Sequence, residues 1–208
     1  MRGGHAPGSP YYAERVEPRP VIDDLVASGQ LPEGVRLEGA DVGGSRFVGL
    51  ELTESSLRGA RLSDCRFERC EMTLIDVTDA TMHDVVFESC RLQAVDFGAV
   101  ARDPIGLSVR FQGCDLSLAS FRGLDLRQAA FEGGRAHEAV FVDTDLREVV
   151  LHALDLTGAE IRGCDLRGAD LRGSSGFVLS PCDNRVRGMR IDLPDAVGLL
   201  AAVGVSWE

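Results

Sequence analysis

Apolar residues return along this chain at every fifth position. From Val35 to Phe97 the central ones are Leu37, Val42, Phe47, Leu52, Leu57, Leu62, Phe67, Met72, Val77, Met82, Phe87, Leu92 and Phe97. Two residues before each centre stands a small or aliphatic side chain, among them Ala40, Ser45, Ala60, Cys65, Cys70, Ile75 and Val85. A helix places apolar residues three and four apart and a half-buried strand alternates them, so a period of five belongs to neither. The pattern returns from Phe111 to Leu171, and inside it Asp125-Leu126-Arg127 recurs as Asp145-Leu146-Arg147 and Asp165-Leu166-Arg167, twenty residues apart each time. Five nested within twenty is an internal repeat, which predicts a solenoid whose units bury their apolar positions against one another.

The segment Gly158 to Gly173 reads Gly-Ala-Glu-Ile-Arg-Gly-Cys-Asp-Leu-Arg-Gly-Ala-Asp-Leu-Arg-Gly. It resembles the pentapeptide-repeat family, whose unit is Ala-(Asp/Asn)-Leu-X-X, and the likeness covers residues 35–175. The resemblance implies an all-β fold, a right-handed quadrilateral β-helix in which four pentapeptides make one coil. Twenty-seven pentapeptides would then give about seven coils, a rod of roughly 32 Å at the spacing of β-strands. Both inner sets of side chains are expected to fill the tube.

One interruption breaks the frame. Phe97 and Phe111 are fourteen residues apart, so four or nine residues are inserted. With four, Phe47, Phe67 and Phe87 stack on Phe111 and Phe131, Phe97 stacks on Phe121 and Phe141, and Cys70 and Cys90 continue to Cys114. All three ladders agree on four, which predicts an outward bulge within residues 98–108 around Asp103-Pro104. Ile105 or Leu107 is expected to fill the core there. The two phenylalanine ladders differ by ten residues in phase and belong on opposite walls. Ala136, with Gly134 as its inner partner, predicts an underpacked corner.

Solenoid ends expose backbone and core and need covers. Residues 1–34 are expected to form an arm and a capping helix, the arm broken by Pro7, Pro10, Pro18 and Pro20, with Tyr11 and Tyr12 free to dock on the body. Val21, Leu25 and Val26, followed by Gly29, suggest the short helix over residues 20–28. Residues 176–208 are expected to form the second cap. Asp192-Leu193-Pro194-Asp195 is a helix start, with Pro in the first turn, ahead of Ala196, Leu199, Leu200 and Val203, and Gly204 is its stop. Leu199, Leu200, Val203, Val205 and Trp207 would form the apolar surface through which two copies could pair as a homodimer, as the resemblance implies for quinolone-resistance relatives.

Composition narrows the functional classes. The 208 residues carry 33 acidic and 22 basic side chains, all of the latter arginine, for a net charge of −11. Phosphate contacts dominate nucleic-acid affinity and need Lys and Arg, so this balance argues against nucleic acid and for a basic partner. The opening stretch lacks a hydrophobic region and the longest apolar run, 196–205, is shorter than a membrane span, which predicts a cytoplasmic protein away from the membrane. Five of the six cysteines fall on inner repeat positions and are expected as free buried thiols. His83, His137 and His152 should point outward with no group to orient them. Neither a zinc-type cysteine pair nor a phosphate loop nor a nucleophile elbow is present, and we expect no enzyme activity and no cofactor.

Charge placement is the informative feature. Asp125, Asp145 and Asp165 flank the same leucines as Arg127, Arg147 and Arg167, so that wall neutralises itself. Residues 71–88, by contrast, hold Glu71, Asp76, Asp79, Asp84 and Glu88 with no arginine. The register of twenty sets Asp64 against Asp84 and Glu68 against Glu88. Like charges one strand apart cost a few tenths of a kcal/mol per exposed pair. This acidic patch, with Asp103 of the bulge as a second contact, is the predicted partner-binding surface. In the family, members of known action are similar to B-form DNA in width and charge and bind type II topoisomerases. The resemblance therefore implies a DNA mimic acting on DNA gyrase, which it would modulate or protect from quinolones. The other reading is a scaffold that binds another protein, with no topoisomerase role.

Overall fold

The computed structural model describes residues 18–205, apart from Ile105 and the side chains of residues 201 and 202. Nearly every pentapeptide contributes a short extended stretch and then a left-handed residue two positions after its centre, where the chain turns a corner; Ala99 and Gln128 are exceptions. Glycine is not required there: Asp64, Asp84 and Glu148 hold φ of 54°, 52° and 61°. Such a φ is open to Asp at small cost and is less favourable for most other side chains.

Successive coils pair in parallel on four walls. The first wall carries Val21–Asp23, Asp41–Gly43, Arg61–Ser63 and Thr81–His83, with Ile22, Val42, Leu62 and Met82 in line. Above the bulge it continues through Asp125, Asp145, Asp165 and Arg185. On the second wall seven strands run from Val26–Ser28 up to Val150–His152. Glu51, Glu71, Arg91 and Asp115 mark the third wall, and Asp96, Ser120 and Val140 the fourth. The result is a four-sided β-solenoid of about seven turns over the expected body.

Its interior follows the ladders. Phe47, Phe67, Phe87, Phe111 and Phe131 stack on the second wall at ring separations of 4.7, 5.2, 5.4 and 5.1 Å. Phe97, Phe121 and Phe141 stack on the opposite wall at 5.1 and 4.9 Å. The two ladders also meet edge to face, as at Phe97–Phe111, 5.4 Å and 74°. Such pairs add about 0.5–1.5 kcal/mol each beyond the area they bury.

The small inner position has a second task. Cys90 donates its thiol to the carbonyl of Phe67 at 3.3 Å, Cys114 to Phe87 at 3.3 Å, and Thr144 its hydroxyl to Phe121 at 3.0 Å. Small donors thus occupy the narrow part of the tube while tying one coil to the next. Cys65, Cys70, Cys90, Cys114 and Cys164 are free and buried, and Cys182 is exposed. Cys90 is pushed up to about 12 by hydrogen bonding to Cys114 and by burial.

The insertion lies where the ladders put it. Phe87 pairs with Phe111 and Asp96 with Ser120, both twenty-four residues on. Ala101 still bonds Ala80 in the lower register, at 2.9 Å. Leu107 is already in the upper one, its amide on the carbonyl of Asp125 at 3.0 Å, and its side chain fills the core. Ile105, the other candidate, lies outside the described residues. At the expected weak corner the backbone itself closes the gap. Gly134, with φ of 88°, comes so near Cys114 that a Cβ would stand 2.1 Å from its carbonyl oxygen, and Ala136 is fully buried.

Two expectations at the ends are corrected. Residues 20–28 form two strands, Val21–Asp23 and Val26–Ser28, in place of a helix. Ile22 and Ala27 prolong the five-residue frame below Val42 and Phe47, and Val21 and Val26 are exposed. The open sheet edge offers backbone partners, such as Asp41 N–H to Pro20 and Arg46 N–H to Leu25, that a nine-residue helix would forfeit. The N-terminal arm, with Tyr11 and Tyr12, lies outside the described residues. At the other end the coil outlasts residue 175: Asp165 pairs with Arg185 and Asp170 with Arg190. Asn184 takes the inner place above Cys164, accepting its amide at 2.9 Å and donating to Ile161 at 3.1 Å. The helix Leu193–Ala202 follows as expected, with Gly204 at φ 78° beyond it.

Candidate protein-binding surface

Outward residues come in two kinds. Those next to a centre lie on a flat wall, roughly 4.8 Å from the equivalent residues above and below. Those two after a centre sit on a corner, where the left-handed turn fans the side chain away from both walls. This distinction sorts the charges.

Most acids on the flat walls are paired, Glu51 and Asp96 being exceptions among the described residues. Glu68, buried, receives Arg46 at both oxygens, 2.8 Å from Nε and 2.7 Å from Nη2. That guanidinium holds the Glu68 carboxyl below the usual range. Arg66 reaches Glu88 at 2.9 Å, Arg58 reaches Asp76 at 3.1 Å, and Arg91 pairs with Glu71. Asp103 in the bulge faces His83 at 3.2 Å. The expectation of an unneutralised patch is corrected here: the arginines come from neighbouring coils, 18 to 22 residues away, and are invisible in a stretch read by itself. The eight candidate residues also encircle the rod. Glu68 and Glu88 lie on the second wall, Glu71 on the third, Asp76 on the fourth and Asp103 on the first.

Acids at the corners are a different population. Among the described residues Asp64, Asp79 and Asp84 form no ion pair, although Asp84 accepts the Ser108 hydroxyl at 2.9 Å. Asp24, Glu54, Glu138, Asp143 and Glu148 share their left-handed conformation and likewise have no ion pair among the described residues. Asp24, Asp64, Asp84 and Glu148 follow the edge between the first and second walls, Glu54 and Glu138 the edge between the third and fourth. Five of these eight escaped the sequence reading. The place two after each centre was the signal that could have found them.

The histidines are also better partnered than expected. His83 faces Asp103, His137 faces Asp155 at 2.8 Å and His152 faces Asp170 at 3.2 Å. Each is a half-exposed surface pair with no nucleophile beside it. Among the described residues no group of three His, Cys, Asp or Glu could hold a metal ion. An open groove of about 430 Å³ crosses the glycine-rich corner, but its charged lining is already engaged, Asp115 with Arg135, Asp155 with His137 and Arg91 with Glu71. No helix among the described residues is long and apolar enough to cross a membrane.

At the C-terminal end Leu199 turns inward and packs on the core, so it is a capping contact. Leu200, Val203 and Val205 are exposed, and Trp207 lies outside the described residues.

The family model for pentapeptide repeats matches in eight copies, over residues 33–69, 108–135 and 137–173. No curated protein matches the sequence. Among solved structures, full-length QnrB1, a plasmid-mediated fluoroquinolone resistance protein, is 14% identical over 89% of this chain and 100% of its own, with a TM-score of 0.42. HetL, a pentapeptide repeat protein involved in heterocyst differentiation regulation from the cyanobacterium Nostoc sp. strain PCC 7120, is 16% identical over 85% and 90% respectively, with a TM-score of 0.39.

Proposed function

We propose, for a chain that belongs to the pentapeptide-repeat family, a role as a cytoplasmic, non-enzymatic binding rod that works without a cofactor. Its acidic corners engage a basic protein surface built to receive DNA. The observation that carries this reading is the segregation of charge: the walls hold the ion pairs, while Asp24, Asp64, Asp84 and Glu148, on one edge, have none among the described residues. A type II topoisomerase, DNA gyrase, is the partner this reading selects. Occupying the DNA-binding surface of the enzyme would modulate it or shield it from quinolones, a form of antibiotic resistance. Within the acidic patch, Asp64, Asp79 and Asp84 are the contact residues. Glu68, Glu71, Asp76, Glu88 and Asp103 are structural.

The test is gyrase supercoiling and drug-induced DNA cleavage with purified protein, with and without a fluoroquinolone, at physiological salt. Low micromolar protein should inhibit or rescue, and the triple variant Asp64→Asn, Asp79→Asn, Asp84→Asn should lose the effect. Asn keeps the left-handed corner while removing charge. Inactivity of the wild type, or full activity of the triple variant, would refute the reading.

A scaffold that binds a different protein is favoured by one observation. Residues 35–174 hold 24 acids and 16 arginines, a net −8. Over a rod of roughly 32 Å that is roughly 4 Å per charge, against roughly 1.7 Å in DNA. In either reading Leu200, Val203 and Val205 leave an apolar end through which two copies would pair. Sedimentation showing a monomer at tens of micromolar would exclude that pairing.

A further inference from the structure

The edge between the third and fourth walls carries side chains that neither backbone nor solvent explains. Its corner positions run Glu54, Leu74, Ala94, Leu118, Glu138. Leu74 and Leu118 are 52% and 57% exposed, and their φ values are 57° and 62°. A left-handed corner favours Gly, Asn or Asp, and water favours a polar group, so an exposed leucine is locally unfavourable on both counts. Elsewhere this chain fills such corners with Asp64, Asp84, Ser89 or Gly123. The two leucines stand two coils apart, roughly 10 Å, with small Ala94 between them.

The surroundings select the occupant. Glu54 and Glu138 close the stripe at its two ends, and Asp96 lies beside Ala94. None of the three is in an ion pair among the described residues. Asp76 lies beside Leu74 and shares Arg58, and Arg122 stands at the far side of the fourth wall. A second copy laid antiparallel would bring Leu74 against Leu118, but it would also set Glu54 against Glu138 and Asp96 against Asp96. Like charges therefore disfavour self-pairing.

We infer that this edge is a docking site for a basic amphipathic helix of a partner protein. Apolar residues at i and i+7 of a helix are about 10.5 Å apart and match the two leucines, with Ala94 leaving room for the helix between them. Lys or Arg on both flanks would meet Glu54, Asp96 and Glu138. The inference rests on the reading of the rod as a protein-binding module and adds a second surface on a different edge from Asp64 and Asp84.

The probe is a synthetic fourteen-residue helix with leucines seven apart and lysines on both flanks. It is titrated into the full ¹⁵N-labelled chain and compared with the same peptide carrying glutamates for lysines. Amide shifts should concentrate at residues 73–76, 93–96 and 117–120. The variant Leu74→Asn, Leu118→Asn should keep or raise the melting temperature, since Asn suits both corner and solvent, and should weaken binding at least tenfold. Equal binding of the acidic peptide, shifts spread over other corners, unchanged affinity of the Asn variant, or no binding at millimolar peptide would each overturn the assignment. The titration contains no topoisomerase, so a negative gyrase assay and a negative titration refute different statements.

Discussion

The coils below and above the insertion share one interior and solve the surface differently. Below it, ion pairs join different coils: Arg46 to Glu68, Arg66 to Glu88 and Arg58 to Asp76. Above it, the shortest ones close within one pentapeptide, beside pairs between coils such as Arg135 to Asp115 at 2.8 Å. Asp125, Asp145, Asp165 and Asp170 each take the Nη2 of the arginine two residues later at 2.6 Å, and the same arginine's amide at 3.2 or 3.3 Å. The ladder of rings runs through both parts, so the core sets the register. The surface is then free to clamp coil to coil or to staple each turn to itself.

Phe111 joins the two parts and offers the largest perturbation. It stacks on Phe87 below and Phe131 above and meets Phe97 and Phe121 edge to face. Phe111→Ala should cost about 3–5 kcal/mol in urea unfolding. A loss below about 1 kcal/mol would mean that the two parts do not share a core. Next in size is the closed corner of the upper part. Gly134→Ala sets a methyl 2.1 Å from a carbonyl at φ 88°, whereas Gly133→Ala, at φ 73°, meets nothing within 4 Å. The first should cost about 3 kcal/mol or more and the second about 1, as expected for left-handed strain alone. Equal losses would remove the backbone contact from the account of that corner.

Legibility follows the range of the interaction. The centres, the small inner residues, both phenylalanine ladders and the four-residue insertion were readable because identical units stack in register, so that spacing in sequence becomes position in space. Pairs such as Asp145 and Arg147 were readable for the same reason. Arg46 and Glu68 were not, since they are adjacent only after a full coil has closed. The strands at Val21–Asp23 and Val26–Ser28 were missed because Val21, Leu25 and Val26 also fit one face of a short helix, and the open sheet edge decided between the two. Val186 and Ile191 lie twenty residues after Leu166 and Leu171, but the irregular segment between hid the frame.

Charge removal separates the two surface solutions. Glu68→Gln strands Arg46 over a buried position and unclamps two coils, while Asp145→Asn frees an exposed arginine that retains Asp165 at 4.0 Å. The melting temperature should fall further for Glu68→Gln, and 0.5 M salt should erase most of the effect of Asp145→Asn but not that of Glu68→Gln, because exposed pairs are screened and buried ones much less. The opposite order would show that the staples matter more than the clamps.

Acid gives the smallest and most local contrast. Asp155 is held at about 2 by Thr157 and His137. Burial opposes ionisation of Asp115, but Arg135, Ser117 and Gln93 outweigh it and keep the carboxyl low. Arg127 lowers Asp125, Arg167 lowers Asp165 and Arg172 lowers Asp170. Below the insertion only Glu68 and Asp76 are held low among the described residues. A carboxylate with a depressed folded pKa stabilises fully above its unfolded value, about 3.9 for Asp, and loses that contribution as pH falls through the folded value. Stability should therefore be flat from pH 7 to about 4.5 and decline between about pH 4 and 2. Five such groups above the insertion against two below mean that amide exchange at pH 3 should speed up first in residues 111–172. Faster exchange in residues 41–97 would show that Glu68 and Asp76, rather than the five carboxylates above the insertion, carry the acid sensitivity.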